Sequence, residues 1–149
     1  METSVSPILL VAIVSGILAL VAIVVAFRMR PASPSGAAVG GAALPAVLML
    51  ALFYSLAVHM HRSLGAWPAS IGDTGFSAHL ITHDSIATNY FFAWFLLSIF
   101  AWPAAFLLCL VIRRWRVCVY YLGVYALAGV VCFGAMLLAP SQFLNWWWD

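Results

Sequence analysis

The chain contains no lysine and few charges of any kind: six arginines and four carboxylates among 149 residues, 7% charged against 66% hydrophobic, with a mean hydropathy of +1.12. Soluble domains carry roughly a quarter charged residues, so this composition excludes an ordinary water-soluble core. The six basic residues are not gathered into a solvated cluster, which excludes the electrostatic footprint of a nucleic-acid binder. The three cysteines, Cys109, Cys118 and Cys132, form no C-x-x-C pair and lie in or beside apolar runs, which marks them as small buried hydrophobes rather than redox or zinc ligands. No glycine-rich phosphate loop and no G-x-S-x-G elbow is present, and the signatures of enzymes are missing.

What is present is length without charge. Ile8 to Phe27 is an uncharged run of twenty residues. As a helix it is about 30 Å long, the thickness of a bilayer's hydrocarbon core. Pro7 suits the first turn of such a helix, where a missing N–H costs nothing. The run is preceded by Glu2 and followed by Arg28 and Arg30, the reverse of a signal peptide's charge order, so a spanning helix is expected in place of a cleaved leader. Pro31 to Gly41 (PASPSGAAVGG) reads as a loop, at least in its first half, with Gly36 and Gly40 a weak G-x-x-x-G at the edge of a second run over Ala42–Val58, for which Gly36 is an alternative start and Pro45 a candidate mark of where the regular helix begins. Tyr90–Ile112 and Val117–Ala139 are the third and fourth runs, parted only by RRWR, and Pro103 predicts a kink in the third. The expected fold is therefore an all-α integral membrane protein: one domain over residues 1–149, four transmembrane helices at about 7–28, 41–60, 87–112 and 117–139 in an antiparallel bundle, and a long loop over 61–86 between helices 2 and 3. A span-one stripe of Ala12, Gly16, Ala19, Ala22 and Ala26, and a span-four stripe of Gly123, Ala126, Gly129 and Cys132, are expected to face inward, because small residues let helices approach in lipid. The terminal NWWWD fits the headgroup region, where tryptophan is favoured.

Five of the six arginines (Arg28, Arg30, Arg113, Arg114, Arg116) follow the first and third runs and so share a face. The positive-inside rule makes that face cytoplasmic. Both termini and the 61–86 loop are then extracytoplasmic. The absence of organelle-targeting features points to a bacterial inner (plasma) membrane.

The ionisable residues are confined to the ends of the runs. No Asp, Glu, Lys, Arg or His lies inside any of them, which argues against a pump or ion-coupled carrier acting alone. All four histidines, His59, His61, His79 and His83, lie in or beside the 61–86 loop. Four-residue spacing puts His79 and His83 on one helical face, and His59 or His61, Asp73 or Asp84 supplies a third donor for zinc or copper; a haem between the mouths of spans two and three is a further option. Against a transition metal or haem stands the plain alternative of interfacial histidines bonded to carbonyls or headgroups, with Asp84 the N-cap of span three and Asp73 a turn residue. Leu64, Trp67, Ile71, Phe76, Leu80 and Ile81 make the loop too apolar to float in water, so it is expected to fold back as a lid. The expected role is that of a non-enzymatic accessory or assembly subunit, with the lipid bilayer and other membrane subunits as partners and no nucleic acid. An extracytoplasmic metal- or haem-binding protein is the rival.

Overall fold

The structure, a computed structural model, describes residues 7–68 and 75–149, and in the first helix the side chains of Gly16, Ile17 and those from Ala19 onward. The described residues are overwhelmingly helical and contain no strand. Expectations that fall on Glu2, Ile71, Asp73 and the Ala12 side chain lie outside them.

Helix α1 runs Pro7–Arg28 and closes with the Met29 N–H shared between the Val25 and Ala26 carbonyls, both at 3.1 Å. Pro31 and Pro34 prevent its continuation. Ser35 then starts α2 (Gly36–Leu64), its carbonyl accepting from Val39 N–H at 3.0 Å while its own N–H donates to the Tyr121 phenol at 3.2 Å. The second helix thus takes the earlier of its two expected starts, Gly36, and runs on past the expected end at 60. Pro45 does not mark its start but lies inside it, and the Pro45 carbonyl accepts from the Tyr90 hydroxyl at 3.1 Å. Gly65 ends α2 in the left-handed conformation (φ 68°) that a side chain disfavours.

Helix α3 (Ala78–Leu96) opens on Ser77, whose Oγ accepts from Leu80 N–H at 3.3 Å and whose carbonyl accepts from Ile81 N–H at 3.0 Å. Ser77 therefore takes the capping role expected of Asp84, which lies inside the helix and accepts from the Thr88 hydroxyl at 3.3 Å. The expected 61–86 loop is correspondingly shortened, and His79 and His83 are helical. A wider π turn, Leu97–Ala101, joins α3 to α4 (Trp102–Val111). Pro103 explains it: with no N–H to give the preceding turn, the chain relieves the lost bond by widening there. Ile112 is extended (φ −84°, ψ 105°), a single 3₁₀ turn covers Arg113–Trp115, and α5 (Arg116–Met136) follows. Pro140 stops the chain again, its carbonyl accepting from the Phe143 and Leu144 N–H groups at 3.0 Å to begin α6 (Ser141–Trp148). The tryptophan-rich tail is thus a short helix.

The helices contribute to two compact units, one holding the residues up to Ala43 with Leu97–Leu127, the other Leu44–Leu96 with Ala128–Asp149. In the first unit Ala22, Ala26, Phe106, Cys109 and Val119 form the core. Gly123 lies so close to Ala26 that an added methyl would overlap the Ala26 Cβ, which is the close helix approach the small residues permit. Trp102 Nε1–H donates to the Leu122 carbonyl at 3.0 Å, and the Ser98 and Tyr125 hydroxyls are bonded to each other.

In the second unit Met49, Phe53, Leu56 and Met60 recur every three or four residues along α2, the spacing that turns one helical face to a core. They are buried along with Leu80, Ala87, Phe91 and Trp94 of α3, Met136 of α5 and Phe143 of α6. Trp94 seats over Gly129, and the Tyr54 hydroxyl donates to the Ala135 carbonyl at 2.7 Å.

Three helical stretches, Gly36–Leu64, Ala78–Val111 and Arg113–Met136, are long and apolar enough to cross a membrane; within α1, Ala19–Arg28 counts as a shorter apolar helix. Large apolar side chains such as Phe100, Leu107, Val111 and Leu138 are exposed, and no polar or charged residue among the described ones is fully buried. An oil-facing exterior is stable in lipid and unstable in water.

Candidate functional site

The site lies in the second unit, where the C-terminal half of α2 meets the first turns of α3. His59 on α2 and His83 on α3 bring their rings together, centroids 5.2 Å apart, with Nδ1 facing Nδ1 at 2.9 Å. The other nitrogen of His83, Nε2, lies 3.0 Å from Ser55 Oγ. Ser55 is one helical turn before His59, so both project from one face of α2.

The hydrogen-bond directions follow from what each atom can give. Ser55 Oγ is 2.9 Å from the Leu52 carbonyl, which only accepts, so the hydroxyl proton points there. Ser55 Oγ must then accept from His83, placing a proton on His83 Nε2 and leaving its Nδ1 as a bare lone pair in the neutral ring. That lone pair accepts from His59 Nδ1–H. Two helices are thereby joined by a chain from His59 through His83 and Ser55 to the Leu52 carbonyl. Both imidazoles are half-buried, and Leu56, Met60, Leu80 and Ala87, each within about a turn on the same helices, are buried.

The four histidines do not converge. His61 is exposed, its ring edge-on to Trp67 at a centroid distance of 4.6 Å. His79 is exposed one turn before His83. Of the four candidate histidines, the structure brings His59 and His83 together across the two helices. Among the described residues no three of His, Cys, Asp and Glu converge on one point. Haem does not fit the pair as it stands, because the two rings are in direct contact, Nδ1 2.9 Å from Nδ1, with His83 Nε2 taken by Ser55, and no gap for a macrocycle lies between them. Ser55 escapes sequence reasoning; only its four-residue spacing to His59 signalled it.

The same unit holds an aromatic layer. Phe143 of α6 packs on Phe53 (5.0 Å), on Trp67 of the α2–α3 connector (6.0 Å) and on Trp147 (6.2 Å), while Phe76 meets Trp146 at 6.1 Å. Trp67 and Phe76 thus pack on the unit as folding back requires, whereas Ile81 is exposed.

Comparison of the chain with protein-family models, with curated proteins and with solved structures gave no match.

Proposed function

We propose that the protein is a non-enzymatic subunit of a larger membrane assembly, crossing the bilayer four times and presenting its aromatic layer to a partner outside the cytoplasm. The observation that carries this reading is the layer itself: the described connector residues Trp67 and Phe76, together with α6, are folded onto the second unit by ring packing. A packed apolar platform with exposed Trp148 at 49% on its margin suits docking of another membrane protein's outer segment. Purification of the tagged chain from its own membrane in mild detergent is expected to yield a stoichiometric partner. Trp148→Ala is expected to weaken that association while leaving the chain folded. A monodisperse monomer with no companion ends the proposal.

The four-span antiparallel arrangement is supported by two features. Tyr90 reaches Pro45 while His83, earlier on α3, reaches His59, later on α2, so the contacts run in opposite order along the two helices. The single 3₁₀ turn at Arg113–Trp115 is a connection of the short kind that joins antiparallel neighbours. With Arg28, Arg30, Arg113, Arg114 and Arg116 on the cytoplasmic side, Ser77 faces outward and Ser33 inward. In a cysteine-free background, a membrane-impermeant maleimide added to intact cells is expected to label Ser77→Cys and spare Ser33→Cys. The opposite pattern inverts the topology.

A further inference from the structure

We infer that His59 and His83 form a binding site for a single monovalent copper ion, Cu(I), held between their Nδ1 atoms and oriented by Ser55. Four observations lead there. First, the donors converge: Nδ1 of His59 and Nδ1 of His83 are 2.9 Å apart. Two imidazole nitrogens each about 2 Å from one ion sit about 3–4 Å apart, depending on the angle between them, so ring rotations of under about 1 Å open the pair to admit it. Second, His83 is already held as ligating histidines are held. Its far nitrogen, Nε2, gives its proton to Ser55 Oγ at 3.0 Å, and Ser55 is anchored to the Leu52 carbonyl, so the free lone pair is the one aimed at the gap. Third, entry of the ion requires no net loss of a proton: the proton on His59 Nδ1 moves to Nε2 of the same ring, which carries none in the neutral tautomer.

Fourth, charge and donor number select the ion. The pair offers two neutral nitrogens. The nearest carboxylate in sequence, Asp84, is engaged by Thr88. No third His, Cys, Asp or Glu completes a set among the described residues. Zinc asks for three or four protein donors, commonly with anionic charge among them. Desolvation cost grows as the square of the charge, so a dication entering this half-buried site, where the one neighbouring carboxylate is Asp84 beside His83, engaged by Thr88 and outside the ligand pair, meets about four times the penalty of a monocation. A filled-shell monovalent ion content with two or three ligands suits what the helices provide. An ion with open coordination positions at the rim of a span is also exchangeable, which fits a passing cargo better than a structural metal. The inference does not depend on the docking role proposed above, and its test runs in detergent, where topology plays no part.

The experiment is an anaerobic titration of the purified full-length protein with Cu(I) against a chromophoric Cu(I) chelator. One Cu(I) per chain is expected. His59→Asn and His83→Asn are each expected to lower affinity by about 100-fold or more, and Ser55→Ala by about 10–100-fold, the usual effect of removing a ligand's supporting partner. His61→Asn, His79→Asn and Cys118→Ala are expected to bind as the parent does. If the ligand variants fail to fold, X-ray absorption on the copper-loaded parent decides: a shell of two imidazole nitrogens supports the site, and a sulfur-dominated shell overturns it. No stoichiometric uptake by the folded parent, uptake lost in His61→Asn or His79→Asn, or displacement of Cu(I) by equimolar Zn(II) also overturns it.

Discussion

Phe143→Ala is expected to release α6 and destabilise the second unit by about 3–5 kcal/mol, the range for truncating a buried phenylalanine. Phe143 is 0% exposed, and its ring meets Phe53 at 5.0 Å, Trp146 at 5.8 Å, Trp67 at 6.0 Å and Trp147 at 6.2 Å. The large effect comes from the weakness of α6 on its own. It has eight residues, its start rests on the Pro140 carbonyl with no side-chain cap, and isolated helices of that length do not persist in water. Its helicity is therefore borrowed from docking, and Phe143 is its most deeply buried anchor. The variant is expected to show a red-shifted tryptophan emission, as Trp67, Trp146 and Trp147 lose their packing, together with proteolysis near Ser141. Phe143→Leu, which refills part of the volume, is expected to recover most of the stability, and Gln142→Ala, at an exposed position, to behave as the parent. Parental emission and stability in Phe143→Ala would show that α6 is held by something other than this ring.

The sequence conveyed the helices better than their ends, and the ends better than their contacts. Charge-free runs of twenty or more residues make spanning helices legible, because lipid forces every backbone amide into internal bonding. The limits were missed where a polar residue continues a helix past the oil. His61 to Leu64 and Ala78 to Ile86 fall in the loop that hydropathy assigns to 61–86, yet both are helical, since helix formation needs backbone pairing and not apolarity. Asp84 has the look of a cap because it precedes the apolar run; the helix starts about two turns earlier at Ser77, a serine equally able to cap. Pro103 announced an irregular turn, though not that it would be resolved as a π turn before the proline. The histidine spacing offers His79, His83 and either His59 or His61, and does not say which of them meet. A four-residue interval reports only what lies on one helix, and the His59 contact arises from how α2 and α3 pack. Ser55 was invisible for the same reason: a serine within an apolar run reads as filler until the ring it supports is in place.

Gly123→Ala tests the first unit in the same quantitative terms and carries the second large effect. A methyl at this position would overlap the Ala26 Cβ, and behind it stand Ala26 Cα at 3.6 Å and the Ala22 carbonyl oxygen at 3.7 Å. These are backbone atoms or a bare methyl of α1, with no torsion that could swing them aside, so α1 and α5 must move apart. Ala22 and Ala26 are each 1% exposed, and separation strips them along with Val119 of the contacts that form the core. Between lipid-embedded helices those contacts are the main attraction, because hydrocarbon offers no hydrophobic drive to hold them together. The expected loss is about 1–3 kcal/mol for Gly123→Ala, with Gly123→Leu at or beyond the upper end. Gly134→Ala, where nothing lies within 4 Å, is expected to be neutral or to stabilise by up to about 1 kcal/mol through helix propensity alone. The decisive comparison is the double variant: Ala26→Gly should cost stability in the parent but restore it in Gly123→Ala, giving a favourable coupling in a double-mutant cycle read by denaturant titration in detergent. Additive losses in that cycle would place the Gly123 constraint somewhere other than against Ala26.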